Sequence, residues 1–197
     1  MALYTVETLD HHWSQALHAA ETGLQLAIQA GATLLKAVCS NAVLLALIRA
    51  GDLETALERS ATLRHHVVPG PANTVIPFIG TCAGLQVLRG DLSAARVLLA
   101  EMFDQCRAVE WSHFERYCTV YFRLALMERR LESAARLVGY ADQATASVWL
   151  PPRVEHLRDA ARAELAAKIE PVRLEALYVE GAKLEPEAVC RLTLGYE

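Results

Sequence analysis

The residues that could do chemistry are histidines, cysteines, carboxylate pairs and one cluster of arginines, and their spacing decides what each could perform. His11-His12 and His65-His66 invite a metal reading. Adjacent histidines on a helix point about 100° apart, whereas a helical metal site uses ligands at i and i+4. No metal ligand is assigned, and His65 and His66 read instead as helix-end residues favoured by the dipole when protonated. A cysteine nucleophile needs a histidine within hydrogen-bond reach and a third group that orients it. Cys118 and His113 fall on different faces of one expected helix, which fits that chemistry badly. Glu185 and Glu187 read as a charged helix start. These residues imply no catalytic, metal or cofactor site, and the expectation is a protein that binds rather than an enzyme.

The remaining chemistry-bearing groups point to partners. Arg123, Arg129, Arg130 and Arg136 form the one basic cluster, either a solvated face or a contact for an anionic partner. Trp111, Tyr117, Tyr121 and Phe122 stand at helical spacing and are expected in the core rather than in an open groove. The five cysteines are odd in number, widely spaced and set in apolar runs without a CxxC pair, the pattern of reduced thiols in a cytoplasmic protein. A formal charge of −4 without a basic stripe argues against nucleic acid. With 53% hydrophobic and 21% charged residues the chain is globular rather than disordered. The first residues carry Glu7 and Asp10 instead of a basic start and an apolar core, and the longest uninterrupted apolar run is 42–48. Neither a signal peptide nor a membrane span is expected.

Three strings organise the elements that must position these residues: RAGDLETA from Arg49, LRGDLSAA from Leu88 and ERRLESAA from Glu128. Leu53, Leu92 and Leu131 are 39 residues apart, as are Ala56, Ala95 and Ala134. Self-similarity with a period of about 20 to 50 residues is the signature of stacked repeats. Each string lies between two segments of helical apolar period, so the unit is helix, tight turn, helix. Gly51 and Gly90 can supply positive φ after a first helix, and Asp52 and Asp91 can cap the next. Arg129-Arg130 replaces Gly-Asp in the third unit, which disfavours that turn unless the backbone adjusts.

First helices are expected over 33–49, 74–89 and 112–128, the last opened by a capping box of Ser112 and Glu115. Pro77 would fall in the first turn of the second of these. Gly80, Ala83 and Gly84 would let a neighbouring helix come close, since glycine in a helix costs about 1 kcal/mol relative to alanine and needs a reason. Second helices are expected over 52–66, 91–109 and 131–148, with the first-turn leucine and the alanine three residues on facing the hairpin partner. An earlier amphipathic helix carries Val6, Leu9, Trp13, Leu17, Ala20 and Leu24 on one stripe, and Trp13, Ala16 and Leu17 match Leu53, Ala56 and Leu57 at an offset of 40. It reads as a second helix lacking its first, whose apolar flank could pair with another copy of the chain. After Trp149 the pattern changes: Pro151-Pro152 starts a helix with Val154, Leu157, Ala161 and Leu165 on one face, and helices over 172–180 and 186–194 follow.

The closing segment AARLVGYADQATA, the Pro-Pro start and ARAELAAKIEPVRLEALYVEGAKLEPEAVCRL resemble the end of the tetratricopeptide-like region in large bacterial signal-transduction ATPases and transcription regulators. These are the maltose-regulator-like proteins with winged-helix or cyclase domains. The phosphate-loop pattern GxxxxGK[ST] is absent, so the resemblance implies no ATPase or DNA-binding activity here, only a role as an interaction or sensing arm. The expected fold is all-α, a right-handed superhelical stack of hairpins over 1–148 with capping helices over 149–197. The inner face of first helices should bind a protein or peptide, with Asn41, Arg49, Thr119 and Arg123 as partner-binding candidates. The other reading is a small-molecule effector domain, which would need an enclosed pocket with converging polar groups.

Overall fold

The computed structural model describes residues 12–67, 70–144 and 152–196, with side chains of 152–155 outside the description. Among the described residues every regular element is helical and no strand occurs. The helices are α1 (Trp13–Gln29), α2 (Thr33–Ala50), α3 (Leu53–Val67), α4 (Ala72–Arg89), α5 (Leu92–Ala108), a 3-10 turn (Phe114–Tyr117), α6 (Cys118–Met127), α7 (Leu131–Ala144), α8 (Pro152–Ala166), α9 (Pro171–Gly181) and α10 (Pro186–Leu194). Val6 and Leu9, expected on the stripe of α1, lie outside the described residues.

The sequence period is visible in the helix register. Leu53, Leu92 and Leu131 each open a helix, and Ala56, Ala95 and Ala134 are all fully buried where that helix meets its neighbours. Sequence neighbours pack as pairs: α2 on α3, α4 on α5, α6 on α7. The leading helices also touch in order, α2 on α4 and α4 on α6. One continuous core of small and branched side chains runs through these contacts. α2 has a mean hydropathy of 1.6 over 18 residues and alone among the described helices is long and apolar enough to cross a membrane. It is packed here on α1, α3 and α4, as the core helix of a helical assembly is.

The three turns share one hydrogen-bond pattern despite their different sequences. Gly51 N–H donates to Ile48 O and Asp52 N–H to Leu47 O; Gly90 and Asp91 repeat this with Val87 O and Gln86 O. Arg129 N–H to Leu126 O and Arg130 N–H to Ala125 O complete the series. Gly51 and Gly90 have φ of 85° and 82°, and Arg129 adopts 58°, a left-handed conformation that a β-carbon disfavours by about 1 kcal/mol. The backbone does not adjust, and side chains reinforce the turn instead. Arg130 holds Glu128 Oε2 (2.6 Å) and donates to the carbonyl oxygens of Leu192 and Thr193 in α10, while Arg96 from α5 grips Glu128 Oε1 (2.5 Å). In the first two turns the caps form as expected: Thr55 N–H donates to Asp52 Oδ1 (3.1 Å) and Ala94 N–H to Asp91 Oδ1 (3.0 Å).

Two expectations are corrected. The helix foreseen over 112–128 starts only at Cys118, because Glu110, Trp111 and His113 all take positive φ and a 3-10 turn follows, so Ser112 opens no helix. The reason is aromatic packing: the irregular path drives Phe114 into the core against Phe103, Tyr121 and Tyr140, with ring centroids 5.1–6.2 Å away. Tyr121 O–H also donates to Phe114 O (2.7 Å). Helix α4 starts at Ala72, which puts Pro77 inside the helix rather than in its first turn. Its carbonyl is well used, accepting from Thr81 Oγ1 (2.9 Å) and Tyr117 O–H (3.1 Å).

α9 presses into α7 through glycines. A β-carbon on Gly181 would overlap the Arg136 carbonyl, and one on Gly139 would overlap the backbone of Tyr178. Around this crossing Arg173 holds Glu132 (2.7 Å) and Arg136 holds Glu180 (2.7 Å). α10 returns to α5, α6 and α7, with Arg107 making a forked pair with Glu187 (2.8 and 3.0 Å).

Candidate functional site: an apolar cleft across α2, α4 and α6

A cleft of about 210 Å³ opens between the leading helices. α2 contributes Leu45 and Ile48; α4 contributes Gly80, Thr81, Gly84, Leu85, Val87 and Leu88. Tyr117, Thr119, Val120 and Arg123 line it from α6 and the preceding turn, and Leu157 of α8 completes it. Leu45, Gly84 and Arg123 are successive residues one period apart, as are Gly80 and Thr119, so positions equivalent in sequence converge in space.

Glycine shapes this cleft in two ways. Gly80 makes room for the Tyr117 ring, whose atoms would lie 2.6 Å or less from a β-carbon there, and that ring with its hydrogen bond to Pro77 fills one end. At Gly84 a β-carbon would meet, among the described residues, only Val120 Cγ2, at 3.5 Å, an ordinary contact. Gly84 therefore leaves a floor that no other described residue covers. Burial pushes the Tyr117 phenol well above its ordinary value, so it stays neutral over the physiological range.

Of the four residues expected on the inner face, Thr119 and Arg123 line the cleft. Asn41 lies one helical turn before Leu45, half-buried, and its Oδ1 is buried without a hydrogen-bond partner among the described residues. Arg49 lies one turn beyond Leu45 with its guanidinium carbon 5.9 Å from the Trp13 ring centroid, a cation–π geometry. The structure thus brings together two of the four and places the others along the same strip of α2. Leu157 could not be anticipated as a wall, because nothing in its own segment says where α8 packs. Gly84 carried a signal, read as close helix packing. Among the aromatics, Tyr121 and Phe122 are core, whereas Tyr117 is half-buried and faces the cleft.

The other candidate chemistries find little support in the geometry. The described residues contain no group of three or more histidine, cysteine or acidic side chains placed to hold a metal. Burial pushes the Cys82 and Cys190 thiols up to about 12 and Cys106 to about 11, and raises Cys118 further still. Such thiols are poor nucleophiles at neutral pH, since the thiolate is the reactive form.

On α1, Ser14, Gln15, His18, Thr22, Gln25 and Gln29 are exposed, while Ala16, Ala20, Leu24 and Ala27 are buried. Glu21 ties it to Arg59 of α3 (3.0 Å). Apolar side chains are exposed on Leu26 and Ile28 near the end of α1 and on Leu34 and Leu35 near the start of α2. No family model, curated protein or solved structure matches this chain.

Proposed function

We propose that this chain is an interaction module that binds a partner protein or peptide along the face made by α2, α4 and α6. The observation that carries this reading is the convergence of repeat-equivalent residues Leu45, Gly84 and Arg123 on one apolar cleft. The same convergence favours an in-phase stack of helical hairpins of the tetratricopeptide kind, where leading helices form the inner surface. Leu88 and Met127, exposed one period apart on α4 and α6, are apolar side chains that a partner would cover. The resemblance of the closing segment to bacterial regulators supports placing the module in a transcription or signalling protein.

The test is site-specific photo-crosslinking. A benzophenone side chain at Leu88, on the cleft, should give discrete protein adducts in cells that make the chain. The same group at Val97, exposed on α5, should not, and Gly84→Leu should suppress the Leu88 adducts. Indistinguishable adduct patterns at the two positions would defeat the reading.

A further inference from the structure

We draw no further inference here: the strongest candidate, the apolar cleft between α2, α4 and α6, belongs to the site already described, and nothing in the structure shows what covers it.

Discussion

Glycine does opposite things at the α7–α9 crossing and on the floor of the α2–α4–α6 cleft. At the crossing, Gly139 and Gly181 are bare so that two helix backbones can touch, and a β-carbon at either would overlap backbone atoms. On the floor Gly84 is bare with room to spare, its nearest neighbour being the tip of Val120 at 3.5 Å. The two sites cost the helices the same local propensity. The crossing recovers it in packing within the chain. On the floor no such backbone contact occurs among the described residues.

The comparison breaks most visibly at the crossing. Gly181→Ala and Gly139→Ala should destabilise by about 3 kcal/mol, the upper end for overpacking, because backbone cannot swing aside as a side chain can. Thermal melts showing either variant as stable as the parent would mean that α9 is not locked to α7. A smaller loss, about 1 to 3 kcal/mol, is expected for Ala95→Leu or Ala134→Leu, which overfill fully buried sites, against no more than about 0.5 kcal/mol for Arg129→Glu on the surface. Equal melting temperatures in the two classes would contradict the repeat register.

The remaining tests have the opposite sign or are smaller. Arg129→Gly should stabilise by about 1 kcal/mol, since glycine adopts the left-handed conformation without a β-carbon in the way. A loss in urea denaturation would show that the Arg129 side chain contributes more than its backbone costs. Gly84→Ala should stabilise by up to about 1 kcal/mol, in contrast to alanine at Gly139, and destabilisation would mean the floor is packed after all. The smallest effect concerns Glu128. Burial pushes its carboxyl up, but hydrogen bonds and charge from Arg96 and Arg130 more than offset this and hold it below its ordinary value of 4.5. A depressed carboxyl contributes stability above its unfolded value and loses it as pH falls through the folded one. Glu128→Gln should therefore flatten the acid limb of the stability curve below pH 4.5, and an unchanged limb would remove Glu128 as its source.

Much of the scaffold was legible because it repeats. The spacing of Leu53, Leu92 and Leu131 located three helix starts, and the buried alanines three residues later located the contacts between paired helices. The same period placed Thr119 and Arg123 on the cleft and Asn41 and Arg49 beside it. Local rules failed where tertiary packing competes with them. Ser112 and Glu115 form a sound capping pattern, yet the burial of Phe114 among aromatic rings outweighs it and delays the helix to Cys118. Arg129-Arg130 looked like a broken turn, and the contacts that reinforce it come from residues more than thirty positions away in either direction, which no local window contains. The site was legible only in part for the same reason: Leu157 and the open floor at Gly84 depend on which helices fail to cover them.

The grip of Arg130 on α10 also bears on the order in which the molecule assembles. Paired helices joined by short turns can form from contacts close in sequence, which is fast because little loop entropy is lost first. α10 has no such local partner. Its anchors lie 62 and 63 residues back at Arg130 and 80 residues back at Arg107, so its docking waits until α5, α6 and α7 already stand together. During synthesis the cleft helices are made before α10 exists to fasten that group. The face made by α2, α4 and α6 would then be present on the nascent chain ahead of the helix that secures the rest.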